Sequence, residues 1–257
     1  IFMDMVSGRD VALALLGVGG AVAVGSLLLR PVSALPTVNF RWTIGAVNGD
    51  ISWAPTYLEN CYTVLKAQLG LDLSQPASWN GIPNPLPVPV TVDPSADCPS
   101  SVGGWAGGIP PALGFCSGNW SQGPYTHWIL GHELCNLLTA VCVSYDWPPT
   151  WWANSSSPFP ILSSLEAMRT LGLGVEAAFM ESILSTETCY SMFKALLTDF
   201  GWPLFQNLFQ LLRNDRVNLS TVDSSYTVAD YLQRAAGQSL ATYFAQCPNI
   251  ATYPPYP

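Results

Sequence analysis

The pattern of apolar and polar residues divides the chain into three parts. The first is an N-terminal segment in which every residue from Val11 to Leu29 is uncharged. Residues 35–124 form a strand- and loop-rich part with a predicted strand over Val38–Ile44 and a predicted helix over Pro55–Leu69. Proline-rich and then glycine-rich loops follow. Residues 125–257 have apolar residues at helical spacing, so we expect an α+β fold with a small N-terminal sheet and a mainly helical lobe.

The first helix predicted in the last part, Tyr125–Tyr145, is also the most apolar. Since it is apolar on all sides, we expect it to be buried. A Ser-x-x-Glu capping box at Ser163 and Glu166 predicts the start of the next helix, and Gly172 its end. The remaining predicted helices are Val175–Leu184, Glu187–Phe200, Pro203–Arg213 and Val228–Gln246. The two parts are expected to form one domain.

Residues 1–34 have the features of a signal peptide. Arg30 ends the apolar segment, and Val32 and Ala34 occupy the small-residue positions that precede a cleavage site. The alternative is an uncleaved membrane anchor, because the apolar segment is almost long enough to span a bilayer. We expect cleavage, and therefore an extracellular protein without membrane contact.

The cysteines also fit export. All seven follow residue 34, which predicts a disulfide framework with one unpaired cysteine. Cys98 and Cys116 flank a glycine- and proline-rich loop and are the first predicted pair, and Cys189 with Cys247 would tie the C-terminal helices together. Three Asn-x-Ser sequons predict a glycoprotein: Asn119, Asn154 and Asn218.

Composition limits the possible functions. Nine Lys and Arg residues against 17 Asp and Glu residues give a net charge of −8, which excludes the basic surface of a nucleic-acid-binding protein. With only two histidines, the chain cannot build a site that needs three imidazoles from one subunit.

The candidate chemistry lies in the predicted buried helix, in the sequence Gly-His-Glu-Leu-Cys-Asn from Gly131 to Asn136. His132 and Asn136 are four residues apart and share a helix face, as the two histidines of an H-E-x-x-H zinc site do. Burying His132 and Glu133 without partners is costly, which favours a functional site. The other interpretation is a structural His–Glu pair in the core.

In order along the chain, five stretches resemble the secreted gluzincin zinc metallopeptidases, most closely their enhancin-like, mucin-degrading subgroup. These stretches lie between about Val102 and Cys247: GGWAGG, GHELCN, WPPTWWAN, TDFGWPLFQNLFQLL and AAGQSLATYFAQC. The resemblance implies a zincin-like fold, a zinc cofactor and a peptide or glycoprotein substrate or ligand. It also implies that His132 is the first zinc ligand and Glu133 the catalytic base. Asn136 occupies the second ligand position, where the family has histidine.

The third ligand implied by the resemblance is a glutamate further along the chain. Glu166 matches it by order, and Asp146 is the alternative carboxylate. Glu176 and Glu181 are more remote candidates. Because an amide oxygen is a weak zinc donor compared with imidazole or carboxylate, Asn136 is the main departure from the family pattern.

Two other residues could replace the missing histidine. Cys135 lies three residues after His132, near the same helix face, and a thiolate binds zinc strongly. His127 is five residues before His132 and therefore points about 140° away around the helix. We expect His127 to lie in an aromatic cluster with Trp120 and Trp128 instead.

Three functional hypotheses follow. The first is a secreted metallopeptidase-like hydrolase that acts on peptide or glycopeptide, with Glu133 activating water. The second is a metal-free pseudoenzyme of the same scaffold that binds protein or glycan, for which the many tryptophans are suited. The third is a structural or adhesion module without a zincin scaffold.

Overall fold

The computed structural model has an α+β fold in which a small sheet is combined with mostly helices, as expected from the sequence. It describes residues 39–45, 47–77, 84–92, 103–107, 110–116, 120–143, 158–219, 224–248 and 250. The predicted signal peptide, Cys98, Asp146 and the sequons at Asn119 and Asn154 lie outside the described residues.

The sheet has four described strands: β1 (Phe40–Ile44), β2 (Val88–Val92), β3 (Gly104–Gly107) and β4 (Ala112–Phe115). Their order is β1-β2-β4-β3. The pairs β1–β2 and β2–β4 are parallel, and β3 is antiparallel to β4. The predicted first strand is confirmed over Phe40–Ile44. The other three strands occupy stretches that were expected to be proline- and glycine-rich loops.

Eight helices are described: α1 (Ala54–Leu69), α2 (Pro124–Cys142), α3 (Pro158–Thr170), α4 (Gly174–Leu184), α5 (Tyr190–Phe200), α6 (Trp202–Asn214), α7 (Ser224–Ala236) and α8 (Ala241–Phe244). Helix α2 carries the sequence from Gly131 to Asn136, which we call the motif, and is therefore the motif helix. Its expected burial is confirmed, because nearly every side chain of α2 is buried. None of the described helices has the length and apolar character needed to cross a membrane.

The capping box predicted at Ser163 and Glu166 is wrong. Helix α3 begins already at Pro158, and proline is favoured in the first helical turn because that turn leaves its N–H groups unpaired. Ser163 therefore lies buried inside the helix. The predicted end is confirmed, since Gly172 adopts a left-handed φ of 85° just after α3.

The C-terminal helix predicted over Val228–Gln246 is in fact two helices. Helix α7 already begins at Ser224, and it ends at Ala236. Gly237 follows with a left-handed φ of 65°, which no continuous helix tolerates. The short helix α8 then resumes at Ala241.

Helix α2 lies at the centre of the packing. It contacts β3 and β4 of the sheet, and it packs against α1, α3 and α4 among the helices. A continuous cluster of buried apolar side chains includes residues from the sheet and from the helices. This arrangement buries the predicted motif between the sheet and the helical part.

The disulfide predicted between Cys189 and Cys247 is confirmed. Cys116 is also disulfide-bonded, as the prediction for the glycine-rich loop requires. Among the cysteines that the structure describes, three are free rather than one, and all three are buried: Cys61, Cys135 and Cys142. They lie on α1 and α2, where they are part of the apolar core rather than of a disulfide framework.

Candidate functional site

Helix α2 positions the motif and begins with a defined local structure. Pro124 occupies its first turn, where a missing N–H costs nothing. The Thr126 hydroxyl accepts a hydrogen bond from the Gly123 N–H at 3.1 Å and lies 3.0 Å from the Ser121 carbonyl oxygen. The apolar residues that follow keep the helix in the core, so the motif has a fixed backbone.

His132, Glu133 and Asn136 come together on this helix as the spacing predicts. His132 is 8% exposed and Glu133 is 6% exposed. The Asn136 side-chain N–H donates to Glu133 Oε2 at 3.2 Å. The site therefore contains an imidazole, a carboxylate and an amide on adjoining positions of one helix.

Three buried polar atoms of α2 have no hydrogen-bond partner among the described residues. They are Trp128 Nε1, His132 Nδ1 and Asn136 Oδ1. Because these residues are four positions apart, they follow one side of the helix. Leaving such an atom unpaired costs about 1–3 kcal/mol, so buried polar groups nearly always have a partner. An unpaired row of this kind is typical of a site that binds a ligand, an ion or water.

Strand β3 closes the site from the sheet side. A Cβ atom built on Gly104 would lie 2.6 Å from Glu133 Cγ and 3.0 Å from Phe115 Cδ1. Only glycine permits so close an approach, because any other residue would need space that the Glu133 side chain fills. Gly104 thus brings the β3 backbone directly against the carboxylate-bearing residue.

Burial shifts the pKa values of both titratable groups of the motif, Glu133 and His132. It raises the pKa of Glu133 to about 7, and the hydrogen bond from Asn136 partly opposes that rise. It also lowers the pKa of His132 to about 4. At neutral pH His132 is therefore uncharged, as a metal ligand must be, and Glu133 exchanges readily between its acid and base forms.

Two aromatic residues extend the site toward the start of α2. The rings of Trp128 and His132 are 5.0 Å apart, and those of Tyr125 and Trp128 are 5.4 Å apart. Burial raises the pKa of Tyr125, and the Glu133 carboxylate raises it further. The phenol thus stays protonated at neutral pH within the electrostatic reach of Glu133.

The carboxylate expected as third ligand takes part in an ion-pair network. Glu166 pairs with Arg169 at 2.5 Å within α3. Arg169 also pairs with Glu181, which in turn contacts Lys194 at 2.5 Å and accepts a hydrogen bond from the Tyr190 hydroxyl at 2.7 Å. Both predicted carboxylates, Glu166 and Glu181, are therefore engaged by cations.

The second histidine lies in a separate cluster. His127 Nδ1 pairs with Glu176 of α4, and the ring is 4.8 Å from Trp53 and 4.7 Å from Tyr57. The predicted aromatic environment is confirmed, but its ring partners are those two residues rather than the expected Trp120 and Trp128. Glu176, a remote candidate ligand, is thus occupied by His127.

Cys135, the alternative ligand on the motif helix, is completely buried. Burial raises the pKa of its thiol to about 12, so it is uncharged at neutral pH. Within the part of the chain that the structure describes, no group of three or more His, Cys, Asp and Glu side chains is arranged to hold a metal ion. The donors best suited to a cation are instead the two unpaired atoms of His132 and Asn136.

Sequence reasoning missed two components of the site. The repeated glycines of GGWAGG indicate a close backbone approach, but they do not reveal that Gly104 meets Glu133. Trp128 is four residues before His132, and this spacing places it on the motif face. The sequence places Trp128 only in the aromatic cluster expected around His127.

Comparisons with known proteins give no family for this chain. No protein family matches it, and no curated protein or solved structure is significantly similar to it. The interpretation of the site therefore rests on its own residues.

Proposed function

We propose that the site on α2 is the centre of a secreted metallopeptidase-like hydrolase that acts on peptide or glycopeptide. In this proposal His132 and Asn136 hold a divalent cation such as zinc, and Glu133 is the general base. The observation that carries it is the pair of buried, unpaired atoms His132 Nδ1 and Asn136 Oδ1 on one helix face.

Two side chains of the site, those of His132 and Asn136, offer donor atoms for one cation. A neutral imidazole nitrogen is a good zinc donor, and an amide oxygen is a weaker one. Glu166 remains the first choice for the third ligand, with Asp146 as the alternative; binding by Glu166 requires that Arg169 release it. A cation bound here would supply a Lewis acid that polarises the scissile carbonyl.

Glu133 has the environment of a general base. Its pKa of about 7 lies near neutral pH, where a carboxylate both accepts and returns a proton efficiently. The Asn136 amide holds one carboxylate oxygen in place through its hydrogen bond. Glu133 would therefore take a proton from the attacking water and later donate it to the leaving amine.

An extended peptide is the substrate that best suits the neighbouring strand. In the sheet formed by the described strands, β3 is at the edge, and Gly104 lies against Glu133. Extended peptides commonly bind by adding a strand to such an edge. A substrate paired with β3 would thus run beside the proposed base.

Disulfides support the extracellular part of the proposal. Cys189 is bonded to Cys247, and Cys116 is disulfide-bonded as well. Structural disulfides form and persist in oxidising compartments. The location also follows from the signal peptide predicted over residues 1–34.

The second candidate function is a metal-free pseudoenzyme that binds protein or glycan. It is favoured by the ion pair that occupies Glu166 and by the Asn136 amide, which already bonds Glu133. In that case the unpaired atoms of α2 would contact a ligand that is bound but not cleaved.

Zinc loading combined with a cleavage assay separates the two functions. After incubation with excess zinc and dialysis, the hydrolase should retain about one equivalent of zinc and cleave an unfolded protein substrate. Glu133→Gln should abolish cleavage while zinc is retained, and Glu187→Gln, which changes a carboxylate outside α2, should leave both unchanged. A wild-type protein that neither retains zinc nor cleaves would contradict the hydrolase and leave the pseudoenzyme.

A further inference from the structure

The two faces of the sheet differ in solvent exposure. Along β1, Phe40, Trp42 and Ile44 are buried, whereas Arg41 and Thr43 between them are exposed. Side chains alternate between the two faces of a strand. The sheet therefore has an inner face that packs on the helices and an outer face that is open to solvent.

The strand register aligns four residues across the outer face. Thr43 lies opposite Thr91, Thr91 opposite Gly114, and Gly114 opposite Trp105. Both threonines are exposed, so their hydroxyl groups are accessible. We call this row, together with Arg41 at the next outward position of β1, the outer-sheet row.

Trp105 and Gly114 form a built aromatic platform within the row. A Cβ atom on Gly114 would lie 2.0 Å from Trp105 Nε1 and 2.1 Å from Cε2, so the indole rests directly on the glycine backbone. Trp105 is nevertheless 48% exposed. Glycine at position 114 thus lets a large ring lie over the sheet with much of its surface in solvent.

The row ends at an available positive charge. Arg41 is exposed, and among the described residues it forms no ion pair, whereas most other cations are paired with carboxylates. Neighbouring strands are about 4.8 Å apart, so the three steps from β1 to β3 span about 14 Å. The unpaired guanidinium can pair with an anionic group of a ligand that reaches from Arg41 to Trp105.

We propose that the outer-sheet row binds a carboxylate-bearing oligosaccharide. The Trp105 ring stacks against the apolar face of one sugar, and the hydroxyls of Thr91 and Thr43 exchange hydrogen bonds with sugar hydroxyls. Arg41 pairs with the carboxylate of another sugar, for which its planar guanidinium is well suited. A nucleic acid would need many more cations than the described row offers.

This binding surface is separate from the proposed hydrolytic site. Gly104 and Trp105 are consecutive on β3 and therefore face opposite sides of the sheet, the first toward Glu133 and the second outward. Glycan binding thus requires neither a cation nor hydrolysis. Either proposal can fail without the other.

Fluorescence titration and calorimetry of the full chain test the proposal, with sialyllactose and trigalacturonate as acidic probes and lactose as the neutral comparison. We expect at least one acidic probe to bind more tightly than lactose. Trp105→Ala should weaken that binding about tenfold or more, and Thr91→Val several-fold. Arg41→Gln should remove the preference over lactose. Circular dichroism should show that each variant is folded.

Two control variants distinguish the row from general surface effects. Arg216→Gln removes another exposed arginine, and Phe179→Ala removes another exposed aromatic ring, which is 41% exposed. Both should bind like the wild type. The proposal is overturned if neither acidic probe binds at millimolar concentration, if a folded Trp105→Ala variant binds as well as the wild type, or if the controls lose equal affinity.

Discussion

Glu133 fills the space that a side chain on Gly104 would need. The two residues lie on different elements, α2 and β3, and a Cβ on the glycine would come within 2.6 Å of Glu133 Cγ. The position of the carboxylate therefore depends on a missing side chain in the sheet. This contact couples the sheet edge to the motif helix.

Gly104→Ala tests this coupling. The added methyl group must displace Glu133 or Phe115, so we expect a loss of about 1–3 kcal/mol in the free energy of unfolding. Urea denaturation measures the change. Gly174→Ala is the matched control, because a Cβ there meets nothing within 4 Å and alanine favours the helix. Equal stability of Gly104→Ala and the wild type would contradict the close contact.

The two shifted groups give opposite pH dependences. The pKa of Glu133 is raised from 4.5 to about 7. Its contribution to the free energy of unfolding is therefore fully present below pH 4.5 and is lost as the pH rises to 7. The pKa of His132 is lowered from 6.5 to about 4, so its contribution is present above pH 6.5 and is lost as pH falls to 4. Each shift corresponds to about 3 kcal/mol, and the two effects largely cancel in the wild type.

Single variants should therefore reveal how the stability contributed by each group depends on pH. In Glu133→Gln only the histidine effect remains, so stability should rise between pH 4 and pH 6.5 relative to the wild type. In His132→Phe only the carboxylate effect remains, so stability should fall between pH 4.5 and pH 7. Chemical denaturation at several pH values measures both slopes. Parallel pH profiles in both variants and the wild type would contradict the burial of these groups.

Asn136→His tests whether the helix face is suited to a metal. The change replaces a weak amide donor by imidazole at the position four residues after His132, so we expect zinc affinity to rise at least about tenfold. Equilibrium dialysis or calorimetry with zinc provides the measurement. Asn136→Leu should bind zinc less well than the wild type. An Asn136→His variant with unchanged zinc affinity would show that the two side chains cannot meet at one ion.

Thiol counting tests the description of the cysteines. Cys61, Cys135 and Cys142 are free and buried, and burial raises the pKa of each thiol to about 12. In the native protein these three should not react with a thiol reagent at neutral pH. After unfolding without reductant, three thiols per chain should react. A count of one would restore the single unpaired cysteine expected from the sequence.

The sequence predicted the elements that have strong apolar periodicity. Helix α1 ends at Leu69 as predicted, and the first described strand lies within the predicted one. The start of α3 was misplaced because a Ser-x-x-Glu pattern also fits a helix interior. There the Ser164 hydroxyl donates to the Ile161 carbonyl at 2.8 Å.

From the sequence, only the part of the site that lies within helix α2 could be predicted. Spacing alone places His132 and Asn136 on the same face, and the structure confirms that arrangement. The approach of Gly104 and the pairing of Glu166 with Arg169 depend on tertiary packing and on competition between charges. Strands β3 and β4 are short and contain glycine, so they lack the alternation by which strands are recognised.

The Cys189–Cys247 disulfide has a consequence for how the chain responds to proteolysis. The bond closes a loop with a sequence separation of 58, and this loop contains α5, α6, α7 and α8. A protease that cuts the backbone once anywhere in the loop leaves the two pieces covalently joined. The nicked chain would gain only the one water molecule added at the cut and would behave as a single species until the bond is reduced, so the C-terminal helices stay attached.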